Sequence, residues 1–212
     1  MIQRPDQRVA ILIDAQNMYH SAKHLHGAKV NFGALVQAVA AGRPIIRAIA
    51  YVAKSKTGEE QAFFDALSQS GIELKIKDVQ EFASGEKKAD WDVGMTVDAV
   101  KLAPRADAIV LVTGDGDFVP LVEYLKAHGV MAEVAAFSES TNAKLKEVAD
   151  HYTDVSADPE QFLLLPHGKT EGRRRQGSRP AGHGPQNRPN QGPSDRPGRD
   201  VAPGLRKIKI TY

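Results

Sequence analysis

The sequence predicts an α/β protein, built on a mostly parallel sheet with helices on both faces and followed by a disordered basic tail. Three observations carry this. Continuous apolar runs, Val9-Ala10-Ile11-Leu12-Ile13 and Ala108-Ile109-Val110-Leu111-Val112, have the character of strands buried on both faces. Amphipathic stretches alternate with such runs, as in successive βαβ units, whose crossovers should be right-handed. From about residue 166 the composition changes to Gly, Pro, Arg, Gln and Asn, which cannot bury enough apolar area to offset its ordering entropy.

Taken in order, residues 9–13 form the first strand, and it stops at Asp14. Residues 16–26 are helical. Asn31 caps a second helix that runs to about Ala41 and is closed by Gly42. Residues 45–53 are a strand. Thr57 caps a helix through Ser70, ended by Gly71, and residues 72–76 form a short strand. Asp90 or Trp91 opens a helix to about Ala103, with Pro104 beyond it. Residues 108–112 are the most apolar strand. It ends in Thr113-Gly114-Asp115-Gly116-Asp117, and residues 118–128 are helical, Pro120 being tolerated in the first turn. Residues 130–136 are a strand, a helix starts at Ser140 or Thr141 and runs to Asp150, and residues 152–155 are a final short strand. No internal repeat is found.

The domain boundaries follow: 1–160 folded, 161–204 a disordered Gly/Pro/Arg-rich tail, 205–212 a short basic-apolar terminal segment. The last alternates in the manner of an added edge strand; a frayed end is the alternative. The formal charge of +2 conceals an asymmetry. Residues 167–212 hold 11 Lys+Arg against 3 Asp+Glu, whereas residues 1–166 hold 17 against 23. An acidic body with a basic tail suits a protein that handles nucleic acid, the tail making counterion-releasing phosphate contacts.

Several function classes are disfavoured. The chain has no Cys, so disulfides, thiolate zinc sites and cysteine nucleophiles are out, and a reducing cytoplasm is the expected compartment. No apolar run is long enough to span a membrane, and the N-terminus lacks the stretch of a secretory signal. The seven His form no metal pattern, and there is no phosphate-binding Gly-rich loop with its Lys.

The chemistry-bearing residues are acids. In open α/β sheets sites form beyond the carboxyl ends of the strands, where the strand order reverses. Asp14 ends the first apolar strand, and Asp115 and Asp117 follow the strongest one. Asp92 opens a helix that can face the same rim. Carboxylates gathered there repel one another unless cations are present or protons retained. Oxygen-only donor sets select hard ions, so Mg²⁺ or Mn²⁺ is expected. Each acid also has a plainer reading: a turn or cap for Asp14, an Asx turn for Asp115, a helix N-cap for Asp117, a helix-dipole partner for Asp92. Asp98 lies roughly 240° around the helix from Asp92 and cannot share its face, so it is at most a supporting residue. Asn17 can orient a carboxylate or hold a water, and Thr113 can donate to an Asp or a phosphate. Lys87 and Lys88 precede the acidic helix start and, with Arg173, Arg174 and Arg175 of the tail, are candidate RNA contacts. Tyr19 and Trp91 flank the rim and could stack a base, though packing is the stronger reading for Trp91.

Three segments together resemble the NYN domain, in particular its LabA-like branch within the PIN-like nuclease superfamily. They are Ile11-Leu12-Ile13-Asp14-Ala15-Gln16-Asn17, Lys88-Ala89-Asp90-Trp91-Asp92-Val93-Gly94-Met95-Thr96-Val97-Asp98, and Thr113-Gly114-Asp115-Gly116-Asp117-Phe118-Val119-Pro120-Leu121. The resemblance covers about residues 7–156. It implies a three-layer, Rossmann-like α/β/α sandwich and one divalent site, or two, formed by Asp14, Asp92, Asp115 and Asp117 with Asn17 in support. It implies metal-dependent hydrolysis of RNA, most readily single-stranded, with the catalytic set Asp14, Asp92, Asp115, Asp117 and Asn17. The family commonly carries Ser where Gly116 stands, and often Ser for Thr113. A non-catalytic RNA-binding or regulatory protein on the same fold is the alternative, and a homo-oligomer is compatible with either. A haloacid-dehalogenase-like phosphotransferase would need an acid where Gln16 stands, and a receiver domain a Lys in residues 130–137.

Overall fold

The computed structural model of the chain describes residues 2–54, 60–81, 87–88 and 90–164. Its elements in chain order are β1 Val9–Asp14, α1 Ala15–His26, β2 Lys29–Val30, α2 Phe32–Ala40, β3 Ile45–Lys54, α3 Gln61–Gln69 and β4 Glu73–Asp78. They continue as β5 Gln80–Glu81, β6 Lys87–Lys88, α4 Asp92–Leu102, β7 Ala108–Val112, α5 Val119–Ala127, β8 Met131–Ala136, α6 Ala143–Val148, β9 His151–Asp154, α7 Pro159–Phe162 and β10 Leu163–Leu164.

Six strands form one sheet in the order β4-β3-β1-β7-β8-β9, and every neighbouring pair in it is parallel. This is the expected α/β architecture. The chain winds outward from β1 to one edge, returns, and then builds β7, β8 and β9 on the other side. The strand order therefore reverses between β1 and β7, and a crevice opens there at the carboxyl ends.

Alternation along β1 explains the layers. Val9, Ile11 and Ile13 face a core with α1, α2 and α3, joined by Phe137 and Phe162. Ala10 and Leu12 face a second core with α4, α5 and α6. All five residues are fully buried, as a continuous apolar run in a central parallel strand requires. No helix among the described residues is long and apolar enough to cross a membrane.

Most predicted elements are present, with shifted ends. Asn31 caps α2, accepting from Ala34 N–H, but it is Ala41 that takes the left-handed conformation, at φ 50°, just before Gly42 at 75°. Helix α3 begins at Gln61, and Thr57 lies outside the described residues. Helix α6 is shorter than expected, because Asn142 rather than Ser140 or Thr141 is its cap, accepting from the N–H groups of Lys144 and Leu145. The ordered fold reaches Leu164, beyond the boundary placed at 160. Leu163 pairs with Val30 across β10 and β2, and Phe162 and Leu163 are buried, so apolar burial holds this segment. The tail from 165 onward, including the terminal segment 205–212, lies outside the described residues.

One charged pair sits inside the first core. Arg43 Nη1 and Nη2 donate to both carboxylate oxygens of Glu133, at 2.5 and 2.9 Å, with side-chain exposures of 1% and 3%. Arg43 also donates to the carbonyls of Ala40 and Val39, and Gln3 Nε2 donates to Glu133. Removing one member strands a buried charge, which costs about 3–5 kcal/mol. Arg43→Met is therefore expected to lower unfolding free energy by that amount in urea titrations, and Arg43→Met with Glu133→Leu to restore most of it. A single variant within 1 kcal/mol (roughly the worth of a surface pair) of wild type would contradict this account.

Candidate active site

The crevice between β1 and β7 is lined by the acids singled out in the sequence. Asp14 is the last residue of β1 and the N-cap of α1, its Oδ1 accepting from Asn17 N–H at 3.0 Å. Asp92 is the first residue of α4. The segment after β7 turns directly into a short 3₁₀ turn, Gly116–Phe118, capped by Asp115, whose Oδ1 accepts from Asp117 N–H at 3.0 Å. Asp92, Asp115 and Asp117 each bring one carboxylate oxygen within 4.8 Å of the others. Asp92 and Asp115 are partly buried and Asp117 is exposed, so the trio opens to solvent on one side.

Asp14 is not one of that trio, although the four were expected to meet at one ion. Its carboxylate is turned toward the start of α1 by the cap. It is still close enough for the charges of Asp92 and Asp115 to act on it. Its pKa is pushed up to about 6, first by burial and then by those two neighbours, against the lowering effect of the Asn17 and Gln16 N–H groups. Asp14, buried and crowded by two like charges, is favoured in its protonated form or by a nearby cation, and an all-oxygen donor set suits Mg²⁺ or Mn²⁺.

The supporting residues act mainly on the backbone. Asn17 Oδ1 accepts from Gly114 N–H at 3.0 Å, which ties the start of α1 to the loop after β7. Thr113 is fully buried. Its hydroxyl oxygen accepts from Asp115 N–H at 3.2 Å, so it shapes the acidic loop and is not aimed at a carboxylate or outward at a phosphate. The plainer reading of Asp117 was an N-cap for the helix at residue 118. Instead Asp115 caps the intervening 3₁₀ turn and α5 starts at Val119, which leaves the Asp117 carboxylate for the cluster. Asp98 is not at the rim. It accepts from Tyr51 Oη at 2.7 Å and pairs with Lys75. Burial alone would raise its pKa, but these hydrogen bonds outweigh burial and hold it below the ordinary value.

Trp91 is a packing residue: its Nε1 donates to the Val52 carbonyl at 3.0 Å, and its ring meets Tyr51 edge-on. Gly94 is required beneath it, since a Cβ there would lie 2.6 Å from Trp91 Cε3. Tyr19 is partly exposed, edge-on to His20. The sequence reading passed over Asn142. Its N–H donates to the Gly114 carbonyl at 2.9 Å, and its Nδ2 sits 2.5 Å from where a Cβ on residue 116 would be. This chain thus needs Gly where Ser is common, because the α6 cap fills that space. The signal was Asn142 itself, a cap residue as favourable as Ser and two positions after Ser140. Lys87 and Lys88 form β6, paired with β5; Arg173, Arg174 and Arg175 lie outside the described residues.

The sequence model of the NYN domain matches residues 8–158. The chain belongs to the NYN domain family. NYN domains are a branch of the PIN-like nuclease superfamily. This NYN chain is similar to the low amplitude and bright protein LabA of Synechococcus elongatus, 28% identical over 177 residues that cover 75% of this chain and 94% of LabA. It is 27% identical over 166 residues to an uncharacterized protein of Methanocaldococcus jannaschii, covering 75% of this chain and 58% of that one. A crystal structure of a Vibrio parahaemolyticus protein of unknown function superposes with a TM-score of 0.69 at 29% identity, over 77% of this chain and all of that one.

The Asp14 environment has a thermodynamic consequence without metal. Its folded pKa of about 6 lies above its ordinary 3.8. Between these values the folded NYN domain retains a proton that the unfolded chain has released. Stability therefore falls as pH rises through this window, and the contribution is gone above it. Asp14→Asn keeps a capping oxygen and removes the charge. In EDTA it is expected to be more stable than wild type at pH 7.5, by on the order of 3 kcal/mol, and equal to it well below pH 3.8. Thermal melts at the two pH values check this; a variant less stable at both would refute the crowding.

Proposed function

We propose that this NYN protein is a metal-dependent ribonuclease that hydrolyses RNA phosphodiester bonds, with the basic tail retaining the RNA. The observation that carries this is the meeting of Asp92, Asp115 and Asp117 at the strand-order reversal, with Asp14 alongside and within reach of the charges of Asp92 and Asp115. Membership of a nuclease superfamily supports the reaction class.

Asp92, Asp115 and Asp117 are the residues that would hold a Mg²⁺ or Mn²⁺ ion. Such an ion supplies Lewis-acid charge toward a phosphoryl oxygen and lowers the pKa of water. Asp14 is the proton acceptor of the set. Its raised pKa sets it nearer neutrality than an ordinary carboxylate, where general-base catalysis is most effective. Asn17 and Thr113 position the acidic loop through Gly114 and Asp115 backbone N–H groups. They pre-organise it, so that reorganisation does not oppose the reaction. The tail's excess of cations would supply sequence-tolerant, salt-sensitive contacts.

The test is cleavage of single-stranded RNA by pure protein with Mn²⁺. Wild type is expected to cleave and EDTA to abolish the reaction. Asp14→Asn and Asp115→Asn are each expected to lower kcat by at least about 100-fold. Mn²⁺ should raise the melting temperature of wild type, and should do so less for Asp115→Asn. Cleavage that survives both substitutions would overturn the assignment. RNA binding by wild type without metal-dependent product would mark the protein as a binder on a nuclease fold.

A further inference from the structure

A second charged surface lies along α4, on the side facing β3 and β4. Ile49 and Tyr51 of β3 pack into the α4 core, and Arg47 stands on the same face by alternation. In the β3–β4 register Ile49, Tyr51 and Ala53 lie beside Glu73, Lys75 and Lys77, so these three share that face. Arg47, Ile49, Lys75, Asp98, Lys101, Leu102 and Arg105 line a pocket of about 380 Å³. At its acid-cluster end Lys77 Nζ donates to the Asp90 carbonyl at 3.1 Å and lies over the Trp91 ring, next to Asp92. Five cations thus form a stripe from the start of α4 toward its far end.

Among the described residues the acids along this stripe are Glu73 and Asp98, both engaged, with Asp90 and Asp92 at its acid-cluster end. Glu73 forms a two-pronged pair with Arg47, and Asp98 is shared by Lys75 and Tyr51. Lys101 and Arg105 are exposed. The body as a whole is acidic, with 23 Asp+Glu against 17 Lys+Arg in residues 1–166, so a local excess of positive charge beside the acid cluster stands out. A polyanion approaching four carboxylates needs compensating charge close by. A row of Lys and Arg supplies it without reading bases.

We propose that this stripe is a phosphate-backbone subsite that guides single-stranded RNA to or from the acid cluster. The proposal rests on the ribonuclease reading and deepens it. Lys101 and Arg105 would contact phosphates about 13–20 Å along the helix axis from Asp92, at 1.5 Å per residue. Arg47 and Lys75, oriented by Glu73 and Asp98, line the floor. The contacts are to phosphate, so binding there tolerates any sequence.

The experiment is fluorescence anisotropy of labelled oligouridylate with the full chain in EDTA, across a salt series. Lys101→Ala with Arg105→Ala is expected to weaken binding about tenfold near 0.1 M salt. It should also make the slope of log K against log salt shallower by about 1.4, at about 0.7 per lost single-strand contact. Lys101→Ala alone should shift the slope by about half as much, which guards against misfolding of the double variant. Arg4→Ala with Lys29→Ala removes two exposed cations elsewhere and is expected to leave the slope within error of wild type. Wild-type affinity and slope in the Lys101/Arg105 variant overturn the subsite. If that variant loses affinity while wild type yields no product with Mn²⁺, the subsite stands and the nuclease reading fails. If wild type cleaves and the variant binds normally, the subsite alone fails.

Discussion

Mutual repulsion among carboxylates is the constraint around which the rest of this structure is arranged. Asp14, Asp92, Asp115 and Asp117 are brought to one crevice by three separate elements. Asp14 and Asp115 also cap the elements that follow them, so local capping and mutual repulsion act on the same side chains. Two adjacent apolar strands, β1 and β7, fix the first and the last pair, because their residues are buried on both sides and cannot slip register without exposing a core face. The burial that makes these strands immovable also desolvates Asp14 and lifts its pKa. Strength of placement and cost of charge come from the same apolar walls.

That cost is contained by backbone hydrogen bonds. Asp14 accepts from α1, Asp115 accepts from Asp117 N–H, Thr113 accepts from Asp115 N–H, and Asn17 accepts from Gly114 N–H. Each fixes a loop in one conformation and offsets part of the desolvation of its acceptor. On the other side Asn142 crowds residue 116 so closely that only Gly fits without a shift. The acidic loop is therefore clamped by α1 from one direction and by α6 from the other, and little reorganisation remains for a bound ion to drive.

What could be read from the sequence was local or strongly periodic. The ends of apolar runs located Asp14 and the Asp115–Asp117 pair, and helical periodicity separated Asp92 from Asp98 correctly. The sequence could not show that a 3₁₀ turn would intervene before α5, which moved the capping role from Asp117 to Asp115. A cap role for Asp14 was open in the sequence, but its standing outside the oxygen trio was not legible, because that depends on Asp92, Asp115 and Asp117, far away in the chain. Long-range partners were invisible. Arg43 meets Glu133 across 90 residues, and Lys75 meets Asp98 across 23; neither pairing leaves a mark on local pattern. Leu163 was assigned to the tail because its burial depends on Val30, far away in the chain.

Asp98 shows how far one residue's meaning depends on its surroundings. As a sequence feature it was another acid beside a cluster of acids. In the fold it lies farther along α4 and roughly 240° around it from Asp92, where it holds Lys75 and Tyr51. An acid thus stands at the start of this helix, and cations from β3, β4 and the helix itself gather around Asp98 and at its far end. Such a helix sets up a field that runs from cation to anion along its length, over a span that an extended polyanion can follow. An acidic body alone would hold such a polymer off, and a basic tail alone would hold it anywhere. A short cationic stripe joined to the acid cluster by one rigid helix gives the polymer a direction.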